Sequence, residues 1–218
     1  MVGPRRHQRR RLETWFFAVA ALTAALGPSA CGASAHRAAG GPVLDVVSGR
    51  VGPLRVDVSE RRQVVAFAGR PDAERRGRNT VASPSGSARY DALGYGCGRN
   101  AGPAALPLLQ PGPSPRCRTV FFIDARSGRL GLVYSIDPSY REAHGVRVGM
   151  RTVEAERRLG RRLRSGCEDN IYLSSPEALL TVVFAGGVTR HDGTVSGGHV
   201  YALLLHGLHH DPGVFECM

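Results

Sequence analysis

The stretch that decides the fold is GVRVGMRTVEAERRLG, residues 145–160. An aliphatic-Arg-Val entry leads to Thr152, whose hydroxyl can cap the free amides of a first helical turn. Ala155 and Leu159 stand at positions i and i+4 and form one apolar face. Gly160 can adopt the left-handed conformation that ends a helix. The stretch therefore predicts a short helix that follows an extended segment.

A similar stretch, PLRVDVSERRQVVAFAGRP, occupies residues 53–71. Ser59 is the capping candidate, and Gly69 can end this helix. Glu60 here and Glu154 in the later stretch suit the positive N-terminal end of a helix. The apolar face consists of Val64, Phe67 and Ala68. We predict a second short helix at this point.

Strand-like segments follow each predicted helix. Runs rich in aliphatic and aromatic residues predict strands at 89–95, 117–124, 129–134, 170–173, 179–184 and 199–205. The turn 125–128 joins two of them in a hairpin, and Gly186-Gly187 and Gly197-Gly198 flank a further hairpin. Residues 72–88 and the Pro/Gly-rich segment 98–116 are predicted to be loops.

Helix followed by strands therefore occurs twice, which predicts an α+β fold of two helix-plus-antiparallel-sheet repeats after a signal peptide. We divide the chain into a signal peptide, a flexible tether, a first repeat that contains the loop 98–116, and a second repeat. These parts span residues 1–30, 31–42, 43–140 and 141–218.

The N-terminus has the layout of an export leader. Arginines 5, 6, 9, 10 and 11 precede an apolar run at 15–26 and a small-residue region at 27–32. The apolar run is shorter than the roughly 20 residues of a membrane span, so a processed leader is favoured over an uncleaved anchor. Two processing routes stay open. Pro28-Ser29-Ala30-Cys31 resembles a bacterial lipobox, which implies lipidation of Cys31, and Ala33-Ser34-Ala35 permits cleavage before His36.

Cysteine parity agrees with processing. The chain has five cysteines, and either route removes Cys31 from pairing. Four cysteines in an oxidising compartment favour two disulfides, for which three pairings are possible. We favour Cys97–Cys117, which flank the Pro/Gly-rich loop, together with Cys167–Cys217, which bracket the strands of the second half. The absence of C-x-x-C spacing argues against a redox pair or thiolate metal site.

The charge is strongly positive and is carried by arginine alone. The 29 Lys+Arg contain no lysine, and the formal net charge is +11. The arginines are interspersed with acids and apolar residues, which is typical of a solvated surface. Contact with an anionic surface or polymer remains open. No nucleic-acid motif is present, so we predict no nucleic-acid partner.

The sharpest chemical cluster is His206-Gly207-Leu208-His209-His210-Asp211. Its imidazoles and its carboxylate could bind zinc or copper, with His191 and His199 as further ligands. The H-E-x-x-H and G-x-S-x-G signatures are absent, and polar residues at the end of a strand explain the cluster better than a metal site does. We therefore predict no catalytic residue and no cofactor, and keep His206, His209, His210 and Asp211 as metal candidates.

Residues 145–160 resemble the motif G-[IV]-x-[IV]-G-M-[ST]-x-x-x-V-x-x-x-[LI]-G. This motif opens the SmpA/OmlA (BamE-like) family of small outer-membrane lipoproteins and each half of the tandem-repeat β-lactamase inhibitor proteins. Gly149, Met150 and Gly160 match it, whereas Arg151 and Ala155 depart from it. The resemblance implies a helix packed on a curved antiparallel sheet that serves as a binding surface, with no catalytic residues.

These observations predict an exported, non-enzymatic binding or structural module. Its partner would be an envelope or extracellular protein, and it would meet the membrane only through its N-terminus. The alternative is a small extracytoplasmic metal-binding protein or metal-dependent enzyme that uses the C-terminal histidines. A third hypothesis is a cationic protein that binds an anionic polymer.

Overall fold

A computed structural model describes residues 41–83, 86–98, 117–163 and 170–208. This part of the chain forms eleven strands and two short helices. In chain order they are β1 (Val43–Asp45), β2 (Arg50–Val51), β3 (Leu54–Arg55), α1 (Arg61–Ala68), β4 (Ala73–Ser83), β5 (Gly86–Tyr95), β6 (Thr119–Asp124), β7 (Leu130–Ser135), β8 (Arg141–Glu142), α2 (Thr152–Leu159), β9 (Asn170–Ser174), β10 (Ala178–Thr189) and β11 (Val195–Gly207).

Seven strands form one antiparallel sheet in the order β4-β5-β6-β7-β11-β10-β9. Its central pair, β7 and β11, comes from different halves of the sequence, with Leu203 opposite Ser135 and His206 opposite Leu132. The predicted α+β class of two helix-plus-sheet repeats is therefore wrong, because the described chain is mainly β and the strands of both halves share one sheet. Local periodicity indicates single strands but not this pairing between distant segments.

A small four-stranded sheet has the order β3-β2-β1-β8. Strand β1 runs antiparallel to β2 and parallel to β8, with Val43 opposite Arg141. The backbone N–H of Arg141 donates to Pro42 O at 3.1 Å. The chain therefore enters the described fold directly beside β8.

The large sheet buries apolar side chains on both faces. Leu203 and Leu205 pack on the face shared with Val64 of α1 and Ala155 of α2. On the opposite face, Leu204 belongs to a second buried cluster. All residues of β11 from 202 to 207 are buried, as expected for a central strand that is covered on both sides.

Both predicted helices form, but their caps differ from expectation. The N-cap of α1 is Glu60, which forms a reciprocal capping box with Gln63. Ser59 instead accepts a hydrogen bond from Arg55 N at 2.9 Å. The N-cap of α2 is Arg151, so Thr152 lies inside the helix. Gly160 ends α2 in the predicted left-handed conformation.

The prediction of a loop at 72–88 is wrong, because β4 and β5 form a long hairpin there, with Ala73 opposite Gly94. Its arginine-rich sequence lacks the alternation of apolar and polar residues that is typical of a half-buried strand. The hairpin of β6 and β7 is confirmed. Strands β10 and β11 also pair as predicted, and they extend further than expected, with Gly187 opposite Gly197.

A disulfide joins Cys97 to Cys117, as the sequence predicted. Cys31, Cys167 and Cys217 lie outside the described residues, as do the predicted signal peptide and most of the predicted loop 98–116.

Within the described ranges, neither helix has the length and apolar character needed to cross a membrane.

Candidate functional site

The predicted metal cluster has only one described member. His206 lies within β11, is 3% exposed, and its Nδ1 is 3.2 Å from Gly207 O. His209, His210 and Asp211 lie outside the described residues. His191 and His199 are both exposed, on the turn between β10 and β11 and on β11 itself. Among the residues that the structure describes, no three His, Cys, Asp or Glu side chains are grouped to hold a metal.

A different feature stands out around α2. Residues 141–162 contain seven arginines and three glutamates, a net charge of +4. We call the arginines of this segment the arginine surface: Arg141, Arg147, Arg151, Arg157, Arg158, Arg161 and Arg162. The fold places them through three successive structures, which are a tight turn, the start of α2 and the end of α2.

The turn after β8 brings the first two arginines together. Arg141 and Arg147 face each other across an isolated antiparallel bridge. The bridge is supported by hydrogen bonds from Glu142 N to Val146 O at 2.7 Å and from Gly145 N to Glu142 O at 2.8 Å. Directly opposed residues of an antiparallel pair project on the same side. Two cationic side chains are thus held as neighbours, at the site where residues 42–43 enter the fold.

The start of α2 is fastened to β11. Gly149 N donates to Val200 O, and Val200 N donates to Met150 O, both at 2.8 Å. These bonds place Arg151 opposite His199 in an isolated bridge. Arg151 therefore marks the junction of the helix with the large sheet, and its exposed side chain extends the arginine surface.

Helix α2 separates an apolar from a cationic side. Thr152 and Ala155 are buried, whereas Val153 and Arg157 are exposed one turn apart. Arg158 forms an ion pair with Glu154 at 2.8 Å and donates to Gly145 O at 3.2 Å. This last contact connects the helix to the turn that carries Arg147.

Gly145 has a specific role in that contact. Its φ is +82°, and a Cβ added there would lie 2.7 Å from Nη1 of Arg158. Only glycine adopts this backbone conformation without strain while leaving room for the guanidinium. The close approach of Arg158 therefore depends on the missing side chain.

Beyond the helix, Arg161 donates from Nη1 to Tyr172 O of β9 at 2.9 Å. Glu156 accepts a hydrogen bond from Leu163 N at 2.7 Å. This carboxylate is engaged with the backbone, so it holds the chain in place after the helix.

The other two glutamates of the segment are also engaged. The Glu142 side chain is 1% exposed and pairs with Nδ1 of His144, and it also accepts His144 N at 2.8 Å. The carboxylate of Glu154 forms an ion pair with Arg158. Across the described ranges, no ion pair within 4 Å involves the remaining six arginines of the surface: Arg141, Arg147, Arg151, Arg157, Arg161 and Arg162.

Three arginines near α1 have carboxylate partners. Arg55 pairs with Glu177, Arg61 with Glu74 at 2.7 Å, and Arg62 with Glu60 at 2.9 Å. Burial, assisted by the charge of Glu74, raises the pKa of the neighbouring Tyr95 to about 12, against the opposing effect of Arg61. The charges of these three arginines are therefore partly neutralised by neighbouring carboxylates.

The arginine surface was not predicted from the sequence. Its arginines were expected to be scattered over the surface, because acids stand between them in the chain. The available signal was their local density in residues 141–162. The decisive fact, that each intervening glutamate is already engaged, depends on side-chain contacts that no sequence pattern shows.

Comparisons with known proteins give little further information. No protein-family model matches the chain, and no curated protein matches it. Among solved structures, the chain is similar to the uncharacterized protein YfeY from Escherichia coli. The identity is 13% and the TM-score 0.43, with 75% of this chain and 99% of that chain covered.

Proposed function

We propose that this protein is an exported, non-enzymatic binding module that holds an anionic envelope component on its arginine surface. It is lipid-anchored at Cys31 or free after cleavage of its leader. The observation that carries the proposal is the set of six arginines around α2 that have no ion-pair partner in the described ranges.

Arginine is suited to this role because its planar guanidinium binds phosphate or carboxylate in a bidentate manner and stays charged at any physiological pH. An arginine that already pairs with a carboxylate must lose that partner before it binds another anion. Six of the seven arginines of the surface have no ion-pair partner within the described ranges, so they carry no such cost there when they bind an anionic ligand.

Export is supported by the sequence and is compatible with the disulfide. The arginine-rich start, the apolar run and the small residues before Cys31 follow the order of a secretory leader. The Cys97–Cys117 disulfide is of a kind that persists in oxidising compartments.

The proposal can be tested with two matched triple variants of the full chain. The first, Arg147→Gln/Arg151→Gln/Arg157→Gln, removes three arginines that have no ion-pair partner in the described part of the chain. The second, Arg55→Gln/Arg61→Gln/Arg62→Gln, removes three paired arginines and changes the net charge equally. Binding to inorganic polyphosphate is measured by titration calorimetry at two salt concentrations, after denaturation curves show that both variants are folded.

We expect the first variant to lose at least about tenfold in affinity, because charge-assisted contacts contribute on the order of 1 kcal/mol each. The second should lose less than about threefold, and the affinity of the parent chain should fall steeply with salt. Equal losses in the two variants would mean that net charge alone attracts the polyanion, and would refute a defined surface.

A further inference from the structure

We infer that the arginine surface faces a membrane and binds the anionic headgroups of its lipids, on the side where the N-terminal tether enters the fold. This inference rests on the proposed function and names the partner within it. Three observations carry it: the entry point of the tether, the separation of that point from α1, and the mixed character of the outer side of α2.

The tether enters next to the arginine surface. Pro42 O accepts the N–H of Arg141, and Val43 lies opposite Arg141 in the parallel pair of β1 and β8. Arg141 in turn faces Arg147. A lipid attached at the far end of the tether would therefore hold this part of the protein nearest to the bilayer.

The α1 region lies away from that side. Strand β3, which leads to α1, is at the opposite edge of the small sheet from β8, about 14 Å away at the usual strand spacing. Asp57 lies against Gly207, whereas the start of α2 is bonded to Val200. Val200 and Gly207 are seven residue steps apart along β11, which corresponds to about 23 Å.

The outer side of α2 combines charge with exposed apolar surface. Val153 is 64% exposed, and Arg157 follows it one turn later on the same side. Arginine stems cover apolar surface while their guanidinium groups reach phosphate. A bilayer interface accommodates both groups, because headgroup phosphates meet the arginines while the valine is buried between lipids. A fully hydrated polymer offers no apolar environment in which the side chain of Val153 could be buried.

A pair of fluorescent reporters tests the orientation. The chain contains one tryptophan, Trp15 in the leader. In a full-length Trp15→Phe background, Val153→Trp places a reporter on α2, and Val58→Trp places one beside α1, where Val58 is 53% exposed. Each chain is mixed with phosphatidylcholine vesicles or with phosphatidylcholine–phosphatidylglycerol vesicles that carry a headgroup-attached nitroxide quencher.

We expect the reporter at position 153 to be quenched at least about twice as strongly as the reporter at 58. This difference should occur only with vesicles that contain phosphatidylglycerol, and it should decrease at high salt. Adding Arg147→Gln/Arg151→Gln/Arg157→Gln should abolish this difference. Each arginine near an anionic bilayer contributes roughly fivefold in affinity, so the triple variant should also need far more lipid for saturation.

Equal quenching at both positions, or stronger quenching at 58, would overturn the inference whichever way the chain is anchored. Salt-sensitive polyphosphate binding without preferential quenching at 153 would show that the partner is a soluble polymer, and would leave the proposed function intact. Loss of both signals would refute both proposals.

Discussion

Helices α1 and α2 are each eight residues long, and arginines lie in and around both. The two helices differ in whether these arginines form ion pairs with carboxylates. Around α1, Arg61 and Arg62 each have a carboxylate partner. On α2, Arg157 has none within the described ranges, because Glu154 and Glu156 are engaged elsewhere. Arginines in similar sequence surroundings thus have carboxylate partners on α1 and lack them at Arg157, and the difference lies in the partners of the carboxylates.

The two helices also pack differently. Phe67 of α1 meets Phe121 edge-on, with ring centroids 6.5 Å apart. Tyr95 meets the same ring at 5.5 Å. Helix α2 buries only Thr152 and Ala155, which are small. The α1 region therefore contributes large apolar contacts to the core, whereas α2 lies on the sheet with its arginines outward.

The largest effect is expected from Phe121→Ala. It removes a fully buried ring that both Phe67 and Tyr95 contact, and the free energy of unfolding should fall by about 3–5 kcal/mol. Urea denaturation with the disulfide intact measures this. The matched change on α2 is Val153→Ala, which should alter stability by less than about 0.5 kcal/mol. Comparable losses would contradict the division between a structural and an exposed helix.

Alkaline pH should weaken the fold next to both regions. Burial raises the pKa of Tyr140 to about 12, as it does for Tyr95. The folded state thus retains protons that the unfolded state loses near pH 10, so stability is complete below pH 10 and falls as pH rises towards 12. For Tyr140 the loss is at most about 3 kcal/mol.

Denaturation curves across this pH range check the expectation. Tyr140→Phe should flatten the alkaline decline, even if it lowers stability slightly at neutral pH. An unchanged decline in this variant would show that another group is responsible.

A smaller effect is expected from Gly145→Ala, because φ is +82° and the new Cβ would displace Arg158. Strain should cost about 1–2 kcal/mol. Gly128→Ala is the control, since φ there is +71° and a Cβ would meet nothing within 4 Å. Both variants should lose similar stability in urea, but only Gly145→Ala should weaken polyphosphate binding. Equal binding by both would exclude Arg158 from the arginine surface.

The smallest effect on stability, below about 1 kcal/mol, is expected from Glu74→Gln, which breaks a solvent-accessible ion pair. It should free Arg61 and raise polyphosphate affinity at the α1 region. It should also lower the pKa of Tyr95, since the charge of Glu74 contributes to raising it. This pKa is measured as the difference between absorbance titrations of tyrosinate in Glu74→Gln and in the same variant with Tyr95→Phe. An unchanged polyphosphate affinity would mean that carboxylate pairing is not what separates the two regions.

Local elements could be predicted from the sequence where one face is apolar. The pattern of Val64 and Phe67 predicted α1, and Ala155 and Leu159 predicted α2. Strands β6 and β7 were equally clear. The hairpin of β4 and β5 was not predicted. Arg75 and Arg76 lie in β4, which has no apolar pattern of its own and is stabilised by its pairing with β5.

The sequence by itself determined where both helices and most strands form, because apolar periodicity acts over a few residues. It also determined that Cys97 and Cys117 flank one loop, which made their pairing predictable. Only the tertiary structure decided that strands of both halves share one sheet through β7 and β11, since that pairing joins segments about 70 residues apart. Only the tertiary structure, likewise, assigned Glu74 to Arg61 and Glu156 to Leu163. Charge is a property of residues, but whether a charge is neutralised depends on which groups the fold brings within a few ångströms of it.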